Sequence, residues 1–259
     1  MESDNMKNGS NSEPVEAEML GEDYLNEIPV ILDTIRTVNR GCYQSIIVYD
    51  LIRDEVLYFS DIWYNAFGAL PQVYKVSFQQ FKREATGIDW DRCMAFGSLT
   101  QQFYATLPSM EIMDYVAMFS CESCCGNMSV NLLHKSIPLR LTRTGKLWLS
   151  LILSFPATGN CSKEFEFENI RTHERFIYKG DKAGWVKQLP VVLTERERII
   201  LIMAAQGRSL DWIANALCIS VCSVKACRNK LFAKLGVTNI QEAITKVMNY
   251  GYMWQGKKG

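Results

Sequence analysis

One stretch of this sequence pairs a regular apolar stripe with a polar face that contains no acid. Between Ser220 and Gly236, apolar residues recur at Val224, Cys227, Leu231 and Leu235, spaced three, four and four apart, which is the buried side of a helix. The opposite side presents Ser223, Lys225, Ala226, Asn229 and Lys230, with Lys234 nearer the C-terminal end. Such a face is small where the helix begins and basic or amide-bearing further on. It suits insertion of the first turns into a DNA major groove, where a lysine pairs with guanine and an asparagine bidentately with adenine.

Other residues with chemical potential are less organised. Nine cysteines include Cys121, Cys124 and Cys125 in a CxxC arrangement, but the second ligand pair that zinc needs is missing at any usual spacing. An exposed loop there would leave a redox role open. His134 and His173 are the two histidines, and both fall in strand-like stretches, as packed or solvated residues rather than haem ligands. Asn160-Cys161 sits in a turn, not in the helical Asn-Cys-Arg-Phe setting of a flavin photosensor. No glycine-rich phosphate loop, nucleophile elbow or metal-ligand motif appears, so an enzyme is not expected, and no cofactor or metal is. The alternating strand and helix order of a phosphoacceptor receiver domain is also absent.

The elements that must hold the basic face come from the last seventy residues. Thr194 and Glu197 form a capping box ahead of Ile200, Leu201 and Ala204. Gly207 ends that helix, and Ser209 starts another with Ile213, Ala214 and Leu217 inward. Ile219-Ser220 makes a tight turn into the third helix, which Gly236 closes in a left-handed conformation. Asn239 and Glu242 then cap a fourth helix with Ile240, Ala243, Ile244 and Val247 inward. The chain's net charge of zero hides a split: residues 190–259 hold ten Lys and Arg against four Asp and Glu, and the remainder is acidic by the same margin.

These residues resemble the LuxR-type (GerE/NarL-like) helix-turn-helix. The likeness runs through Leu193-Thr-Glu-Arg-Glu, Ala205-Gln-Gly-Arg-Ser, Ile213-Ala, Leu217-Cys-Ile-Ser, Ser223-Val-Lys, Lys234-Leu-Gly-Val, Asn239 and Glu242-Ala, almost without gaps. The resemblance implies that Lys225, Ala226 and Asn229 face base edges. It gives phosphate contacts to Ser220, Ser223, Arg228, Lys230 and Lys234. Cys227 stands where the family most often has a histidine packed between helices.

Ahead of this domain the order is two strands, several helices, then longer strands. Residues 1–22 are polar and are expected to be disordered. Tyr24 to Arg40 has helical spacing, with Pro29 restricting its start. Ser45 to Asp50 and Glu55 to Ser60 read as a hairpin across Arg53-Asp54. Ile62 to Phe67, Phe78 to Ala85 and Asp91 to Leu107 read as helical, residues 112–130 stay unassigned, and strands return at Leu139 to Thr142, Leu147 to Phe155 and Phe165 to Tyr178. Val48-Tyr-Asp-Leu with Glu55-Val-Leu-Tyr-Phe-Ser, Asn65-Ala-Phe-Gly68, Ile88-Asp-Trp-Asp-Arg92, and Arg140, Thr144-Gly145-Lys and Trp148 resemble a PAS domain, although the histidine and proline of its usual turn are missing. That resemblance implies a sensor or dimerisation module, with Tyr58, Phe67, Trp90, Phe103 and Trp148 as candidate lining of a ligand cavity. Packing is the plainer role for each.

The expected architecture is α+β: a disordered tail (1–22), a helical segment (23–42), a PAS-like domain (43–180), a linker (181–192) and an all-α helix-turn-helix domain (193–259). The expected protein is a bacterial, cytoplasmic transcription regulator that binds double-stranded DNA as a homodimer, with a small molecule as candidate signal. Its longest apolar run, Leu147 to Phe155, is too short to span a bilayer. Two alternatives concern the N-terminal part. An acyl-homoserine-lactone-binding domain fits the length and Trp63-Tyr64 but lacks the Asp-Pro step expected after them. An oligomerisation domain that senses nothing would have a filled core.

Overall fold

The computed structural model describes residues 24–42, 44–60, 75–85, 87–125, 128–157 and 164–253. The tail 1–22, the segment Ile62 to Phe67, the Asn65-Ala-Phe-Gly68 element and the Thr158-Gly159-Asn160-Cys161 turn lie outside them. Among the described residues the elements are α1 (Tyr24–Cys42), β1 (Ser45–Asp50), β2 (Glu55–Phe59), β3 (Val76–Ser77), α2 (Phe78–Glu84), α3 (Trp90–Tyr104) and α4 (Ser109–Ile112). There follow β4 (Tyr115–Cys125), β5 (Met128–Leu141), β6 (Leu147–Pro156), β7 (Phe165–Asn169), β8 (Arg175–Tyr178) and β9 (Trp185–Gln188). The chain ends in α5 (Glu195–Ala205), α6 (Leu210–Ala216), α7 (Val221–Leu235) and α8 (Ile240–Asn249). The strands form one sheet in the order β3-β2-β1-β6-β5-β4-β7-β8-β9. No single described helix is long and apolar enough to cross a membrane.

The chain divides into two compact units, 1–117 with 135–154, and 118–134 with 155–259, the division running through β4, β5 and β6. In the first unit β1 lies between β2 and β6, antiparallel to both, with Val48 opposite Tyr58 and Leu151. The Ser45–Asp50 run is apolar at consecutive positions because both its faces are covered. Ile46, Val48, Leu57, Tyr58, Trp148 and Leu149 pack with Leu32 of α1. Ile47 and Val56 pack instead with Val76, Phe81 and Ala85, around α2. Asp50, fully buried, closes the β1–β2 turn: its carboxylate accepts from the amides of Ile52 at 2.9 Å and Arg53 at 3.0 Å, and from Trp148 Nε1 at 3.2 Å.

This arrangement separates the four described members of the five aromatics expected to line one cavity. Tyr58 and Trp148 belong to the cluster beneath α1. Trp90 packs on the other cluster, edge-on to Phe78 and Phe81, with Nε1 donating to the Ala85 carbonyl at 3.2 Å. Phe103 is buried against Tyr104 and Tyr115. Phe67 lies outside the described residues. Trp90 and Phe103 lie on α3 thirteen residues apart, about 140° from each other round the helix, and Tyr58 and Trp148 come from strands packed under α1, so aromatic character alone does not place residues in one cavity.

In the second unit β7, β8 and β9 form an antiparallel meander. Phe165 to Tyr178 is thus two strands rather than one. Asn169 makes the turn, its Oδ1 accepting from the amides of Arg171 at 2.9 Å and Thr172 at 3.0 Å. His173 sits in that turn at φ 59°, not in a strand. Trp185–Gln188, read from sequence as linker, pairs with β8, and Trp185 packs edge-on to Phe167. The unassigned residues 112–130 contain all of β4 and the start of β5. The second half of β4, Ser120-Cys-Glu-Ser-Cys-Cys125, lacks the β-branched and aromatic residues that mark a strand.

The cysteine cluster therefore lies on a strand and not in a loop. Cys121 is buried and Cys124 exposed, because residues three apart on a strand face opposite sides. Cys121 Sγ lies 3.2 Å from His134 Nε2, and the imidazole stacks on Phe119. No group of three His, Cys, Asp or Glu suited to a metal ion occurs among the described residues.

Candidate nucleic-acid interface

The four C-terminal helices are each started by the residue expected to start it. Thr194 accepts from the Glu197 amide at 3.2 Å, and the Glu197 carboxylate accepts from the Thr194 amide at 2.7 Å. Ser209 accepts from the Trp212 amide, Ser220 from the Ser223 amide, and Asn239 from the Glu242 amide. The Glu242 carboxylate also accepts from the Thr238 amide and hydroxyl. Gly236 ends α7 at φ 64°, ψ 44°, a left-handed conformation that a side chain would strain.

Helix α7 is held by two clusters. Val224 packs with Ile200, Ile213 and Ala214. Leu231 and Leu235 pack with Leu193, Leu201, Ala243, Val247 and Tyr252. Helices α6 and α7 turn through 105° at their junction, within the range of helix-turn-helix pairs. Cys218 makes this junction with φ 52°. A left-handed conformation costs a residue other than glycine about 1 kcal/mol, and asparagine tolerates it better than cysteine. Cys218→Asn is expected to raise stability by about 0.5–1 kcal/mol, read as a higher urea midpoint at unchanged slope. Cys218→Val should lower it.

The remaining face of α7 is open. Lys225, Ala226 and Asn229, the residues expected at base edges, are exposed, as are Ser220, Ser223 and Lys230. Arg228 is half-buried, its guanidinium 5.5 Å from the Phe232 ring centre. Cys227 is half-buried as well, and burial together with Glu197 pushes its thiol up, so it stays protonated.

Lys234 departs from the expectation. Its Nζ donates to Glu197 Oε2 at 2.6 Å and to the Val192 carbonyl at 3.1 Å. Two of its three donors thus tie the end of α7 to the start of α5, so it is a brace and not a free phosphate contact. Burial alone would raise the Glu197 carboxyl. The Lys234 and Thr194 hydrogen bonds outweigh that and hold it below its ordinary 4.5. A carboxyl held low in the folded state stabilises fully above its unfolded pKa and loses that contribution as pH falls through the lowered folded value. Lys234→Ala is therefore expected to cost about 1–2 kcal/mol at pH 7. The urea midpoints of variant and wild type should converge as pH drops below 4.5.

Residues 191–247 match the GerE family model, described as bacterial regulatory proteins of the luxR family. They form a LuxR-type helix-turn-helix domain. No curated protein matches the chain. Among solved structures, VqmA bound to DPO is similar at 15% identity, covering 88% of this chain and 91% of that one, with a TM-score of 0.32. A phage VqmA–DPO complex is 14% identical over 87% and 93%, with a TM-score of 0.31. A Vibrio cholerae VqmA dimer in the absence of target DNA is 15% identical over 81% and 83%, with a TM-score of 0.29.

Proposed function

We propose that this chain is a sequence-specific DNA-binding transcription regulator. The observation that carries the reading is the open side of α7. It exposes Lys225, Ala226 and Asn229, with Ser220, Ser223, Arg228 and Lys230 at its margins, and the opposite side of the same helix is fully committed to packing. Lysine and asparagine are side chains that read guanine and adenine in the major groove, and flanking basic and hydroxyl groups hold phosphates.

In this reading the protein acts as a homodimer, each α7 entering one of two successive major grooves. Residues 43–180 act as a PAS-like sensor or dimerisation domain ahead of the DNA-binding domain at 193–259, and the stretch 181–192 between them carries β9. The order of elements supports it: a hairpin, helices, then three long strands, with β1 between β2 and β6. A signal binding there would act by favouring one dimer geometry over another.

Selection of bound sites from random DNA by the full chain, at two salt concentrations, tests the proposal. The expected result is an enriched palindrome with half-sites one helical turn apart. Binding that follows salt alone and enriches no sequence would reject it.

A further inference from the structure

The outward face of α7 begins one turn earlier than the three residues assigned to base edges. Each residue advances a helix by about 100°, so a seven-residue step falls about 20° short of two turns. Cys222 therefore lies in line with Asn229, and Lys225 and Ala226 flank it three and four residues on. Leu231, nine residues away and about 180° round the helix, is fully buried. Cys222 is thus directly opposite the packed side, and it is exposed. It is the second residue of α7, within the turn that Ser220 caps. The N-terminal residues of such a helix are the ones that contact base edges.

We infer that Cys222 is a fourth base-facing residue, and that the base edge it suits is the methyl group of thymine. This rests on the DNA-binding reading above. A thiol is a weak donor and a weak acceptor, so it is poorly suited to the donor and acceptor pattern of the groove. It is also small and polarisable and behaves as a compact hydrophobe, which matches the one apolar group the groove displays. Any group added to this sulfur stands between α7 and the bases. DNA binding by this chain is therefore sensitive to thiol addition at position 222.

N-ethylmaleimide supplies the test. The Cys222 thiolate adds to the maleimide double bond, a carbon–sulfur bond forms, and the proton given up by the thiol ends on the neighbouring maleimide carbon. Because Cys42, Cys124 and Cys218 are exposed too, the full chain is compared with C222S and C218S. Wild type and C218S treated with the reagent should lose at least about tenfold in affinity for the selected site. C222S, which lacks the methyl contact, should bind that site more weakly than untreated wild type and lose no further affinity on the same treatment. Bound DNA should slow alkylation of the Cys222 peptide, followed by mass spectrometry. Full sensitivity in C222S, or undiminished binding by wild type alkylated at Cys222, would overturn the inference while leaving the DNA-binding reading intact. A wild type that selects no site before treatment would overturn both.

Discussion

Replacing Arg175 with alanine is expected to lower the stability of the chain by about 3–5 kcal/mol, the cost of stranding a buried carboxylate. Arg175, opposite Glu168 in the β7–β8 register, reaches diagonally to Glu166 and forms an ion pair whose side chains are only 10% and 7% exposed. The guanidinium lies 5.0 Å from the Tyr250 ring centre and 5.8 Å from that of Tyr252. Tyr250 Oη donates to the other Glu166 oxygen at 3.3 Å. One arginine thus joins the β7–β8 hairpin to the residues that follow α8. Burial works against its charge, but Glu166 outweighs this and pushes the guanidinium up. Burial likewise pushes up the Tyr250 and Tyr252 phenols, which stay neutral.

The alanine variant has a control that separates stranding from lost packing. Glu166→Met combined with Arg175→Met should cost far less than Arg175→Ala, because apolar replacement of both partners strands neither. Urea unfolding of the three proteins reads the difference. A single-variant loss below about 1 kcal/mol would mean that the cluster is worth no more than a surface pair.

What could be read from sequence divides by the range of the interactions. Thr194 and Glu197, Ser209, Ser220, Gly236 and Asn239 each act within one turn of chain, so residue type and spacing carry the whole signal. The α7 core stripe is equally local. Cys222 could have been found the same way, since it stands seven residues before Asn229. The braces were out of reach: Lys234 meets Glu197 across 37 residues and Tyr250 meets Glu166 across 84. Nothing in residue spacing announces either pair. By spacing alone Lys234 reads as a phosphate contact, although its ammonium is held within the domain.

The N-terminal half shows the same limit in strands. The hairpin at Ser45–Phe59 is visible from its β-branched and aromatic residues, but its register shifts between Val48 and Tyr49. A shift of one residue exchanges the faces of everything beyond it. Which aromatics meet is then a property of pairing and not of composition, and Tyr58 parts from Trp90 for that reason.

Lys225→Ala is expected to weaken binding to the selected DNA site by about 1–3 kcal/mol with the fold intact, and Lys230→Ala to behave differently. Both side chains are exposed, so neither substitution removes packing. A lysine on a base edge discriminates: its loss should relax preference at one base pair of each half-site and leave binding to unrelated DNA nearly unchanged. A lysine on phosphate releases a counterion wherever the protein sits. Its loss should weaken all sequences alike and flatten the slope of log affinity against log salt by about one for each contact removed. Asn229→Ala should resemble Lys225→Ala, relaxing preference where adenine is read. Titrating the selected site and a scrambled one at three salt concentrations, with circular dichroism to check the fold, separates the patterns. If Lys225→Ala weakened both DNAs equally, the lysine would belong to the phosphate set and base reading would fall to Asn229 and its neighbours on α7.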